Sequence, residues 1–137
     1  MLVIDAYRFG DFSYASYDEI PDFRSRRYMP KAAANISMQK FPNGYYARYE
    51  IPLKEFDGYL DDLWERYAER SGSQRGDDID EGEIAGPEEI VATFGELGWE
   101  CPTSAIIYHS PTEMDGGGAT YYVDRDSAIV LQQTGFW

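Results

Sequence analysis

Large apolar side chains recur in "PLKEFDGYLDDLWERYAERSG" at Phe56, Tyr59, Leu60, Leu63, Trp64 and Tyr67, that is at i, i+3, i+4, i+7, i+8 and i+11. This spacing follows the 3.6-residue turn of a helix and gathers the six residues on one stripe, which predicts an amphipathic helix over 53–70. Pro52 suits its entry, Arg66 and Arg70 suit the negative end of its dipole, and Gly72 can end it in a left-handed turn. A shorter stripe of Ile90, Val91, Phe94 and Leu97 predicts a second helix over 87–97, with Pro87, Glu88 and Glu89 in its first turn and Gly98 as its stop.

Elsewhere the period is two. "NISMQKF" and "YYARYEI" flank Pro42-Asn43-Gly44: Ile36 and Met38 alternate with Ser37 and Gln39, and Tyr45, Ala47, Tyr49 and Ile51 with Tyr46, Arg48 and Glu50. A β-hairpin is predicted over 33–51, with Asn43 and Gly44 supplying the positive φ of its turn. "SAIIYH", "ATYYV" and "AIVLQQ" are β-branched and aromatic runs separated by turn residues, and they predict strands within 103–133. In "FSYASYDEIPDFRSRRY", Phe12 to Tyr28, rings at mixed spacing and Pro21 point to a short strand and then an irregular, ring-anchored stretch, so 1–30 is expected to be largely irregular. Residues 71–86 read as an acidic loop. Together these elements predict an α+β fold, a mostly antiparallel sheet of about five strands with both amphipathic helices packed on one face.

A length of 137 residues with 43% hydrophobic content suits one domain over 1–137 with one core. Cys101 is the only cysteine, so no internal disulfide holds the fold. No run of about 18 apolar residues is present, which argues against membrane insertion, and "MLVIDAYRFGD" lacks the basic region and cleavage site of a secretory leader. A cytoplasmic location is expected, or a soluble domain of an anchored or exported protein if a leader or anchor has been removed.

Charge changes the picture more than size does. Of the net −13, residues 71–137 contribute −11, from 2 basic and 13 acidic side chains. Such a surface repels nucleic-acid phosphates and anionic lipid heads, which bind through Lys and Arg. A basic protein is the partner it suits. The densest acidic run, Asp77, Asp78, Asp80, Glu81 and Glu83, is the first candidate for that contact.

The same run carries a second reading. "DDIDEGEIAGPE" resembles the EF-hand calcium loop at Asp77 in position one, Glu81 in five, Gly82 in six, Ile84 in eight and Glu88 in twelve. It departs from that pattern at Ile79, which offers no oxygen at position three, and "SGSQRG" intervenes between it and the preceding helix. Asp77, Glu81, Glu83 and Glu88 would be the ligands of a weak cation site. No cofactor motif is present: the glycines of "MDGGGAT" are followed neither by the Lys nor by the helix of a phosphate-binding loop.

The best catalytic candidate is His109, the only histidine, at a predicted strand end with Glu113 and Asp115 close in sequence. A carboxylate-poised imidazole can act as a general base, but only if the ring lines a concave pocket with the carboxylate in hydrogen-bond reach. The expected function is therefore a non-enzymatic, regulatory or inhibitor-type protein with a basic partner. The alternatives are a small-ligand binding domain or enzyme centred on His109, and weak calcium binding at 77–88.

Overall fold

The computed structural model describes residues 10–21, 23–67, 83–111 and 117–135. Seven strands form one sheet: β1 (Gly10–Ser16), β2 (Ala34–Phe41), β3 (Gly44–Glu50), β4 (Ile84–Ala85), β5 (Ala105–His109), β6 (Gly118–Asp124) and β7 (Ile129–Gly135). The spatial order is β1-β2-β3-β7-β6-β5-β4, and every neighbouring pair is antiparallel. Helix α1 (Leu53–Tyr67) follows β3, and helix α2 (Pro87–Phe94) follows β4 and continues as a 3₁₀ turn through Leu97. Gly98 stops it in the left-handed region, at φ 78°. Among the described residues no helix is long and apolar enough to cross a membrane.

Three expectations from the sequence are corrected. The strand count is seven rather than about five, because β1 turns out to be a regular seven-residue edge strand and β4 is too short to show any alternation. In β1 the half-buried Phe12 and Tyr14 alternate with exposed Ser13 and Asp11, a period-two signal masked by the irregular ring spacing that follows it. Furthermore, the helices lie on opposite faces, not on one. Tyr121 meets Phe56 of α1 at 5.4 Å between ring centres, whereas the next residue, Tyr122, meets Phe94 of α2 at 5.3 Å. Successive side chains of a strand point to opposite faces, so those two contacts place α1 and α2 on either side of the sheet.

Each face has its own core. Under α1 lie Phe56, Leu60 and Trp64 against Ile36, Tyr49 and Tyr121; under α2 lie Ile90 and Phe94 against Ile107, Tyr122 and Leu131. A fully buried side chain of this size contributes about 1.5–3 kcal/mol, so both layers are large stabilising terms.

The third correction concerns the β2–β3 turn. Phe41 pairs with Gly44, which leaves Pro42 and Asn43 as the central residues. Neither Asn43 nor Gly44 has a positive φ, since the Pro42 ring fixes φ near −65° and excludes the mirror-image turn. Gly44 is needed for space instead: a Cβ there would run into the Thr134 carbonyl oxygen of β7 and come within 3.2 Å of the Gly135 Cα. Gly44→Ala is expected to destabilise the protein by about 1–3 kcal/mol, read as a lowered urea midpoint.

Gly58 presents the opposite case. It sits exposed inside α1, and a Cβ added to it meets nothing within 4 Å. Gly in a helix interior costs about 0.5–1 kcal/mol relative to Ala, so Gly58→Ala should raise the melting temperature by roughly 2–5 °C. A fall instead would mean that the helix needs glycine there.

A polar network lies inside the α1-side core. Gln132 is fully buried; its Oε1 accepts from the Tyr49 hydroxyl at 2.7 Å, and the two protons of its Nε2 are shared among the Tyr45 hydroxyl at 3.0 Å, Thr134 Oγ1 at 2.7 Å and the Tyr28 carbonyl at 3.1 Å. Tyr45 donates to the Arg27 carbonyl, and Tyr121 to that of Tyr28 at 2.7 Å. These donors hold the 27–28 turn on the sheet, with Tyr28 at φ 65°, a left-handed conformation that a bulky residue adopts only when its surroundings impose it.

Candidate functional site

The strand register assembles one row of polar side chains across four strands. Tyr46 of β3 faces Gln133 of β7, Gln133 faces Thr120 of β6, and Thr120 faces His109 of β5. All four share the face of α2, because each lies two positions from a residue of that core or belongs to it: Leu131, Tyr122 and Ile107 are buried there and Tyr46 packs against it. Apart from Tyr46, which meets Phe94 of α2 at 5.8 Å between ring centres, the row lies one step further along the strands than the residues α2 covers. It forms part of a cavity of about 330 Å³ walled by Phe41 and Asn43 of the hairpin and by Ser110, Gly118 and Gly135.

His109 is held from two sides. Its Nδ1 is 3.2 Å from the Thr120 hydroxyl, and its backbone carbonyl accepts the indole N–H of Trp64 at 2.9 Å from the opposite face. Beside it the Ser110 hydroxyl accepts from the Ala119 amide at 2.8 Å and donates to the Pro111 carbonyl at 3.1 Å, which fixes the end of β5. Nε2 of His109 is buried and has no hydrogen-bond partner among the described residues. An unpaired buried nitrogen costs about 1–3 kcal/mol unless a partner outside the described residues meets it.

The general-base reading required a carboxylate beside this ring. The ring partner observed is a hydroxyl, Thr120, and no carboxylate lines the cavity among the described residues; Glu113 and Asp115 lie outside them. Cys101 is elsewhere, packed on the α2 core with its thiol 3.5 Å from the Trp99 carbonyl, and burial pushes that thiol up despite the Arg48 charge nearby. The described groups can bind a polar molecule by hydrogen bonds. Sequence reasoning singled out His109 by residue type but missed Tyr46, Thr120 and Gln133. The available signal was phase: Thr120 and Gln133 are polar residues in step with the buried Tyr122 and Leu131.

Of the acidic candidates, Glu83 and Glu88 are described, at the far edge of the sheet. Asp77, Asp78, Asp80 and Glu81 lie outside the described residues. Glu83 precedes β4, its backbone carbonyl accepting the Ile107 amide at 2.9 Å, and Glu88 stands in the first turn of α2. Both side chains are exposed, as are Glu89, Glu96 and Glu100, and the whole span 83–100 contains no Lys or Arg. On the same edge strand and helix, Ile84 and Val91 are 73% and 55% exposed. No group of three or more metal-ligating side chains occurs among the described residues.

Four of the described cations are engaged with the body of the protein, whereas Lys31, Lys54 and Arg66 are exposed. Arg26 donates to the Ile20 carbonyl at 2.8 Å and lies over Tyr17. Lys40, only 6% exposed, donates to the Tyr14 hydroxyl at 2.7 Å and sits 4.3 Å above the Phe12 ring. Arg48 donates to the Glu100 carbonyl at 3.0 Å, and Arg125 clasps the Asp57 carboxylate of α1 at 3.0 and 2.7 Å. Compared with known protein families, with curated proteins and with solved structures, the chain matches none.

Proposed function

We propose that the protein is a non-enzymatic interaction domain, of regulatory or inhibitor type, that captures a basic protein on the edge formed by β4 and α2. The observation that carries this reading is the run of exposed carboxylates at this edge, where the span 83–100 supplies no Lys or Arg. Arg26, Lys40, Arg48 and Arg125 are engaged with the body of the protein, while Glu83, Glu88, Glu89, Glu96 and Glu100 stand exposed beside two exposed aliphatic residues. Anionic groups around an apolar contact steer a cationic partner and then let it desolvate. The sheet order ends at β4, which leaves its outer edge without a strand neighbour among the described residues, and such an edge accepts an extended segment. In sequence, Asp77, Asp78, Asp80 and Glu81 extend the same acidic run.

The test is affinity capture at low salt, identification of the bound basic protein, and its titration against the wild type and the Glu83→Gln/Glu88→Gln/Glu89→Gln variant. Three removed charges should raise the Kd about tenfold or more, and affinity should fall steadily with ionic strength. A partner whose affinity ignores both changes would refute the reading.

A further inference from the structure

We infer that the cavity at the Tyr46–Gln133–Thr120–His109 row binds a neutral, polyhydroxylated small molecule of monosaccharide size. This is a second binding function, on the α2 face but away from the acidic edge, and it does not depend on the basic-partner reading.

Charge narrows the ligand class first. Among the described residues the lining contains no Asp, Glu, Lys or Arg. An ion bound there would meet no countercharge among the described residues and would gain little over its hydration. An anion would also have to approach a protein of net charge −13. A neutral ligand carries neither penalty.

Hydrogen bonding narrows it further. The Tyr46 phenol, the Gln133 and Asn43 amides, the Thr120 hydroxyl and the His109 imidazole each contain both a donor and an acceptor. The complementary ligand group is one that also does both, and the hydroxyl is the simplest. Neighbouring strands lie about 4.8 Å apart, so consecutive members of the row can address different hydroxyls of one ring-sized molecule. At one end the Phe41 and Tyr46 rings, 5.4 Å apart and tilted by 51°, offer the apolar surface on which the C–H face of a sugar packs. A volume of about 330 Å³ belongs to the small end of the range for ligand pockets.

Orientation is fixed in advance by the fold. The Thr120 hydroxyl holds one edge of the His109 ring, and Trp64 anchors its backbone. The unpaired Nε2 on the other edge is a hydrogen-bonding capacity that the described residues do not use. Because that atom is buried, a ligand hydroxyl meets it only as the ring tilts on binding.

The experiment is calorimetric titration of the whole chain with glucose, galactose, mannose and N-acetylglucosamine, using glucuronate and glucosamine as charged controls. At least one neutral sugar should bind with a dissociation constant in the millimolar range or below, and more tightly than either charged control. Gln133→Glu places a charge at an exposed lining position and should weaken binding at least tenfold, while Thr120→Val, which keeps side-chain shape, should do the same without loss of melting temperature. Absence of binding by every neutral sugar at tens of millimolar, stronger binding of a charged control, or binding that survives both substitutions would each overturn the proposal. Capture of a basic protein should be unaffected by Thr120→Val, which separates this result from the test of the acidic edge.

Discussion

Gln132→Ala is expected to lower the stability of the protein by about 3–5 kcal/mol, one of the largest effects available from a single substitution in this fold. The side chain is fully buried with four hydrogen-bond partners, three of them sharing the two Nε2 protons, and its removal acts in two ways. The Tyr49 hydroxyl loses the acceptor it now has at 2.7 Å and is left in the core, at a cost of about 1–3 kcal/mol. The volume of the lost amide adds a cavity between β3 and β7 that the flanking tyrosines cannot fill without giving up their own bonds to Arg27 and Tyr28. For a domain stable by about 5–15 kcal/mol, the melting temperature should drop by roughly 10–20 °C. Thermal and urea unfolding of the variant beside Tyr49→Phe checks this. In Tyr49→Phe the orphaned hydroxyl is absent, so the double variant should lose less than the sum of the two single losses. A Gln132→Ala variant within 1 kcal/mol of the wild type would sink the account of the network.

The second large effect is alkaline unfolding. Tyr45, Tyr49 and Tyr121 are fully buried, and desolvation pushes all three phenols far above their ordinary value near 10. With folded-state values raised, their contribution to stability is intact below about pH 10 and is lost as pH climbs above it, because the unfolded chain then releases protons that the folded chain retains. Each such phenol costs about 1.4 kcal/mol per pH unit, hence about 4 kcal/mol per unit for the three. The fold should therefore collapse within roughly one to three pH units above 10. Tyrosinate absorbance near 295 nm and the far-ultraviolet circular dichroism, followed together, test it: of the 12 tyrosines, the last to ionise should do so in step with loss of structure. Complete ionisation with the dichroism intact would contradict the buried assignment.

These cores explain which parts of the fold were legible in the sequence. The helices were read from the 3.6-residue stripes of Phe56 to Tyr67 and Ile90 to Leu97, and the hairpin from its alternation around Pro42-Asn43, because those signals are local. The face to which each helix goes was not legible. It depends on Tyr121 and Tyr122 being buried on opposite sides, and two adjacent tyrosines look alike in a sequence. β4 was missed because two residues cannot show a period. At the candidate site, His109 was visible as a rare residue type, whereas Tyr46, Thr120 and Gln133 become its neighbours only through registers that join positions up to 87 residues apart. The acidic edge was legible as charge, but its exposed aliphatic residues were not, since Val91 fits the apolar stripe of its helix as well as Ile90 does.

The central pairing of β3 with β7 also sets the order of events when the chain is made. Its nearest paired residues, Glu50 and Ile129, are separated by 79 positions. At synthesis rates of about 5–20 residues per second, β3 waits roughly 4–16 s after emerging before its permanent neighbour exists. During that interval the meander β1-β2-β3 can form from local contacts, but the β3 edge stays open and carries Tyr45, Tyr46 and Tyr49. An open aromatic edge invites pairing with other nascent chains, so the yield of correctly folded protein should depend on how fast translation runs and on what shields β3 meanwhile.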